Sequence, residues 1–175
     1  MPEIVIQLLG YIALILVIFA FQSKSRKGIL TLFFIAHLFF MSHFFLIGAT
    51  TAALINVVAL VRDILFIKRE KLPKSDTYLW PFIFTTIFLI TALPQWHWFN
   101  LLPAIGMIIE TFGFWITDEK LLRRINLLPR PLWFGYALVV GSIPSGLTEL
   151  FVTTSLLIAI YRYDFKGKRG RKELS

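Results

Sequence analysis

The chain contains no cysteine, which excludes a disulfide framework and a thiolate metal site and leaves the redox compartment unspecified. Charge is scarce too: Asp, Glu, Lys and Arg make up 16% of the 175 residues, against roughly 25% in soluble domains. Apolar side chains fill the difference, at 57% with a mean hydropathy of +0.75. A soluble core cannot absorb that excess. No Ser/Pro/Gly-rich linker or low-complexity tract divides the sequence, which reads as one unit. Also missing are a Gly-x-Ser-x-Gly elbow, an HExxH pair, a phosphate-cradling glycine loop and a two-carboxylate metal motif. The expectation is a protein that is not an enzyme and needs no cofactor or metal. The first apolar run starts at Ile4 behind Glu3 rather than behind a positive segment, and no small-residue cleavage pattern precedes Gln22-Ser23-Lys24. It is therefore expected to be retained rather than cleaved as a signal.

What the sequence does have is a series of apolar stretches. A hydrocarbon layer about 30 Å thick takes ~20 residues of helix, within roughly 17 to 25. Seven stretches are read as spans, at residues 4–21, 29–47, 49–67, 77–93, 99–116, 125–140 and 144–161. The fourth is short and the sixth carries Pro129 and Pro131. They are read as helices, because an open strand in lipid leaves backbone groups unsatisfied.

The net charge of +8 is placed in a way that argues against nucleic acid and for membrane topology. Lys24, Arg26 and Lys27 follow the first span; Lys68, Arg69, Lys71 and Lys74 follow the third; Lys120, Arg123, Arg124 and Arg130 follow the fifth. Six more lie between Arg162 and Lys172, while the loops after the second, fourth and sixth spans have none. Of 18 basic residues only Arg62 breaks the alternation. Such a bias puts the amino terminus outside and the carboxyl terminus in the cytoplasm. Trp96 and Trp98 on the outer side, and Trp80, Trp115, Tyr161 and Tyr163 on the inner, fit interfacial belts.

The sequence also repeats. An offset of 93 residues lays spans one to three on spans five to seven, pairing Leu8 with Leu101, Ile12 with Ile105, Phe19 with Phe112, Phe21 with Phe114, Lys27 with Lys120, Gly48 with Gly141 and Leu54 with Leu147. The polar residues Asn56 and Glu149 coincide as well. A fourth helix between two triplets restores the same orientation, giving parallel repeats about an axis along the membrane normal.

The run from Leu9-Gly10-Tyr11 through Phe21-Gln22-Ser23-Lys24-Ser25-Arg26-Lys27 to Gly48 and Asn56 resembles the triple-helix unit of PQ-loop and SWEET proteins. Phe21 stands where that motif has proline, and Trp115 replaces the glutamine in the second half. Over nearly the whole chain the sequence is similar to the YgjV-like bacterial inner membrane proteins, through His43-Phe44-Phe45-Leu46-Ile47-Gly48, Leu101-Leu102-Pro103-Ala104-Ile105-Gly106 and Gly141-Ser142-Ile143. The first resemblance implies alternating access to a central cavity, with Asn56 matching the pocket asparagine of SWEET-like proteins. The second implies an inner-membrane location.

Ionisable groups within a bilayer are costly, so each is expected to face the bundle interior with a partner. Counting along the spans puts His37 and Glu110 near mid-depth, Asn56 and Glu149 somewhat further out, and His43 further still. Asn56 and Glu149 are candidate solute ligands, and a carboxylate in place of the second amide suits a cationic or proton-coupled solute. Glu110 and Glu149 either share a proton or pair with Arg62 or Arg130. His37 and His43 are candidates for gating the cavity or for packing. Trp133 and Tyr136 are candidates for lining the pocket or for packing. Arg62 and Asp63, near the cytoplasmic end, are read as an ion pair or inner gate, and Ser142 and Ser145 as residues of an outer turn with no base beside them.

The expectation is thus an all-α polytopic membrane protein, seven transmembrane helices in a 3+1+3 parallel-repeat, SWEET-like bundle. Residues 4–67 form the first repeat, 77–93 the linker helix, 99–161 the second repeat and 162–175 a basic cytoplasmic tail. The function read from it is a small-solute transporter working by alternating access, with a non-transporting receptor or assembly factor as the alternative. Its partners are the lipid bilayer and a small solute; a homo-oligomer is left open. With no native cysteine, topology can be read from introduced ones. A membrane-impermeant maleimide should label H97C in intact cells and K168C only once the membrane is opened, and the reverse pattern overturns the orientation.

Overall fold

A computed structural model describes residues 3–93 and 97–165. Trp96 and the basic residues from Lys166 to Lys172 lie outside the described residues. Among those described, regular structure is entirely helical: α1 (Glu3–Gln22), α2 (Arg26–Leu46), α3 (Thr50–Ile67), α4 (Leu79–Ala92), α5 (Leu101–Trp115), α6 (Glu119–Ile125), α7 (Arg130–Val139) and α8 (Ile143–Ala159), which runs on as a π-helix over Ile160–Phe165. Short 3-10 turns cover Arg69–Lys71 and Trp98–Asn100.

By length and composition four of these helices can cross a membrane, namely α1, α2, α3 and the run Ile143–Tyr163. Against the seven expected spans, α4 has 14 residues and α5 has 15. The sixth stretch, expected over 125–140, is two helices, and its helical course starts earlier, at Glu119. Proline accounts for the break. Pro129 has no N–H to give and disfavours helical geometry in Leu128 before it, so α6 closes in tight turns, Leu127 N to Arg124 O at 3.2 Å and Leu128 N to Ile125 O at 3.0 Å. Pro131 then sits in the first turn of α7, where a missing N–H costs nothing.

Helix limits recur at the offset of 93 residues. It carries Gln22, the end of α1, to Trp115, the end of α5; Arg26, the start of α2, to Glu119, the start of α6; and Leu46 to Val139, the ends of α2 and α7. The caps recur with them. Ser25 accepts from Gly28 N at 3.1 Å, and at the matching position Asp118 accepts from Lys120 N and Leu121 N at 2.8 and 2.9 Å. Those backbone donors hold the Asp118 carboxyl below its ordinary range. Both turns that follow end in a Schellman arrangement. Ala49 N bonds Phe44 O at 2.9 Å and Ser142 N bonds Ala137 O at 3.0 Å, around Gly48 at φ +78° and Gly141 at φ +67°.

In the packed bundle α2 lies between α1 and α3, and α7 between α5 and α8. Contacts of α8 with α1 and of α3 with α5 close the two triplets into a ring, and α4 lies over α3 and α5. Large apolar side chains such as Phe19, Phe45, Phe82, Leu138 and Ile158 point outward, as a lipid-facing surface requires and a wet one penalises. Polar and charged groups are gathered inside instead: His37, Asn56, Arg62, Asp63, Glu110, Arg130 and Glu149 are all buried.

No atom lies within 4 Å of a Cβ built on Gly48 or Gly141, so their requirement is conformational alone. G48A and G141A should each cost about 1 kcal/mol, the left-handed penalty of an L-residue, and asparagine at either place less. Unfolding in detergent, followed by circular dichroism, measures it.

Candidate functional site

Two charged clusters meet in the middle of the ring. In the first, Asp63 of α3 is the hub. Its Oδ1 accepts from Arg62 Nε and Nη2 at 3.0 and 2.9 Å, and its Oδ2 lies 2.7 Å from His37 Nδ1 of α2. A carboxylate only accepts here, so Nδ1 carries the proton and the ring's free position is Nε2. Arg62 reaches the other way, donating from Nη1 to Thr111 Oγ1 of α5 at 3.0 Å, under the ring of Phe114 at 5.0 Å. This pair thus straddles the α3–α5 seam, with both side chains at 0% exposure.

The second cluster belongs to the other half. Arg130, the first residue of α7, donates from Nη2 to Glu110 Oε1 of α5 and from Nε to Asn126 O at 2.9 Å. That carbonyl would accept from the Arg130 backbone N–H in an unbroken helix. The proline break frees it, and the side chain takes the place of the backbone donor. Nη1 lies 3.1 Å from Glu149 Oε2 of α8. The approach is close enough for charge pairing but off the hydrogen-bonding direction, and Glu149 Oε2 is buried without a hydrogen bond.

Between the clusters is a cavity of about 30 Å³. Its lining comes from both halves, and largely from positions the offset of 93 relates: Val17 with Glu110, His37 with Arg130, Phe40 with Trp133, Asn56 with Glu149. Asn56 donates its Nδ2 to Ala52 O at 2.8 Å on its own helix. Ser145 and Thr148 of α8 complete the polar wall.

Five of the expected site residues therefore line one cavity: His37, Asn56, Glu110, Trp133 and Glu149. Arg62 and Asp63 stand behind His37 as the ion pair expected of them. His43 does not reach the cavity. Its Nδ1 donates to Ile6 O at 2.9 Å, and its Nε2 accepts from Ser142 Oγ at 2.8 Å, where that serine caps α8. It packs α2 against α1 and α8, and gives Ser142 the neighbouring base that its sequence surroundings lack. Tyr136 is one turn beyond the cavity, packed on Trp133 and Phe44 at ring separations of 6.3 Å, and it lines a separate pocket of about 270 Å³ with Gly48, Thr50 and Asn100.

Sequence reasoning gives Arg130 two places, a loop cation after the fifth span and a partner of Glu110 or Glu149, and the structure takes the second. Arg130 is 4% exposed and central. The signal was there: the offset sets it against His37. Ser145, read as part of an outer turn, lines the cavity. Trp115 is no belt residue either, at 1% exposure with Arg69 stacked on it at 4.4 Å and its Nε1 donating to Thr77 O at 2.9 Å. Trp98, at 70% exposure, is free to reach an interface.

At the end where the basic residues gather, α2, α3 and α5 are tied together. Arg26 donates to Phe114 O at 2.9 and 2.6 Å and to Phe66 O at 3.1 Å, and Arg69 to Trp115 O at 2.6 Å. The receiving carbonyls are the ones helix ends leave without partners. At the other end, the rings of Phe44, Trp133 and Tyr136 separate the cavity from the larger pocket.

The chain belongs to the Imp-YgjV family of bacterial inner membrane proteins, whose family model matches residues 4–166. No curated protein and no solved structure matches it.

Removing Asp63 leaves Arg62 charged and alone in a dry seam. D63A should destabilise the protein by about 3–5 kcal/mol, whereas R62M combined with D63L should recover most of the loss. Unfolding midpoints of the three proteins in one detergent test it, and a D63A protein as stable as the parent overturns the assignment.

Proposed function

We propose that this inner membrane protein carries a small solute across the bilayer by alternating access. In this reading α1–α3 and α5–α8 are parallel repeats about an axis along the membrane normal, α4 is the linker, the amino terminus is outside and the carboxyl terminus is cytoplasmic. The observation that carries it is the pairing of the cavity lining. Positions related by the repeat offset meet at one polar space in the middle of an otherwise apolar bundle. A bundle held together for stability alone has no need of such a space, since replacing buried ion pairs with apolar side chains is often neutral or favourable. Polar groups kept inside a membrane protein, facing one another from both halves, are the usual mark of a solute or ion path.

Closure at both ends supports an occluded resting form. Arginine-to-carbonyl bonds hold the basic end, and aromatic rings cover the other. Alternation then consists of parting one seam while the other stays shut, with Arg62 and Asp63 moving with α3. The reading is of a carrier rather than a catalyst.

The test is uptake by liposomes holding the full chain, against a panel of labelled metabolites. A solute that raises the unfolding temperature should also be taken up. N56A and E149Q should each reduce uptake about tenfold or more, the weight of one charge-assisted hydrogen bond, while remaining folded. A stabilising ligand that never crosses the membrane would favour a receptor.

A further inference from the structure

We infer that the central cavity is built for a small monovalent cation that donates hydrogen bonds, of the ammonium or primary-ammonium class. This rests on the cavity being the solute site proposed above, and adds the charge and hydrogen-bonding character of its occupant.

The charge count comes first. Two arginines, Arg62 and Arg130, face three carboxylates, Asp63, Glu110 and Glu149, within one buried cluster. With His37 neutral and all three carboxylates ionised, the set is one positive charge short. Arg123 does not make up the difference, because it lies on α6 towards the basic end, 5.4 Å from the Tyr163 ring. Inside an apolar bundle an uncompensated charge is expensive, and a monocation restores balance.

Hydrogen-bonding capacity points the same way. Each nitrogen of the Arg130 side chain already faces a protein oxygen: Asn126 O, a Glu110 oxygen and a Glu149 oxygen. Acceptors remain open beside it. Glu149 Oε2 is buried with no hydrogen bond. His37 donates through Nδ1 to Asp63, which leaves an acceptor at Nε2 on a ring that lines the cavity. A ligand with several N–H groups fits that set.

Size and walls complete the case. At about 30 Å³ the cavity exceeds the roughly 10–15 Å³ that one water needs, which is room for a small ammonium. Phe40, Phe44 and Trp133 supply the apolar wall, and ring faces attract ammonium groups where carboxylates do not reach.

The experiment follows thermal unfolding of the full chain in lipid nanodiscs, at neutral pH and ionic strength fixed with sodium chloride. Ammonium, methylammonium, methanol and formate are added in turn. Ammonium and methylammonium should raise the unfolding temperature in a saturable way, and methanol and formate should not. E149Q should abolish the rise. The assignment falls if formate or methanol stabilises as well as methylammonium, if no cation stabilises, or if a folded E149Q protein keeps the full response. The comparison within the parent protein decides the matter even where E149Q fails to fold. Liposome flux separates the two readings: methylammonium binding without transport overturns the carrier and leaves the ligand class, whereas transport of a neutral solute alone does the reverse.

Discussion

In an apolar bundle every ionised side chain must lie against another of opposite sign, since the surroundings offer neither water nor counterions to screen it. The interior here gathers most of its charges into two facing clusters. Asp63 answers Arg62 and His37, and Glu110 and Glu149 answer Arg130. Four helices, α2, α3, α5 and α8, are drawn towards the centre by these pairs, with α7 supplying the remaining cation. Much of the geometry follows. The cavity exists where it does because two charged clusters, each wide enough to hold an arginine head group, hold the helices apart between them.

The broken sixth stretch is part of the same arrangement. In the first half α2 passes the cavity as an unbroken helix and contributes a histidine there. In the second half Pro129 interrupts the course, a backbone carbonyl loses its donor, and the guanidinium of Arg130 takes that donor's place. A longer cation could not reach Glu110, Glu149 and a main-chain oxygen together from the middle of a regular helix, where its own backbone N–H would occupy the carbonyl. Helix limits match at the offset of 93 residues, and the courses of α2 and of α6 and α7 differ at the point where the latter places an arginine inside.

Much of this was legible in the residues. Apolar runs mark the helices; the offset of 93 residues pairs Gly48 with Gly141, the two turn glycines; and the cost of polar and charged groups in lipid sends Asn56, Glu110 and Glu149 inward. Arg130 carried two readings, loop cation and partner of a buried Glu, because charge patterning treats a basic residue beside prolines as a loop marker, and only its contacts distinguish the two. Of the two readings of His43, gating and packing, the structure takes packing: its spacing gives depth but not direction, and its ring turns to a carbonyl of α1 rather than to the cavity. Span lengths misled at α4 and α5, since hydropathy continues into the turns and says nothing about where backbone bonding stops.

The two closed ends of the cavity are shut by unlike materials. At the basic end the closing groups are guanidinium donors seated on main-chain oxygens of α3 and α5. Parting them bares carbonyls and cations together, which only incoming water can satisfy, so that end opens wet. At the far end three rings lean on one another, and their separation uncovers hydrocarbon that water avoids. In the carrier reading proposed above, the first end would hydrate as it yields, while the second would stay dry until a solute wedges it apart.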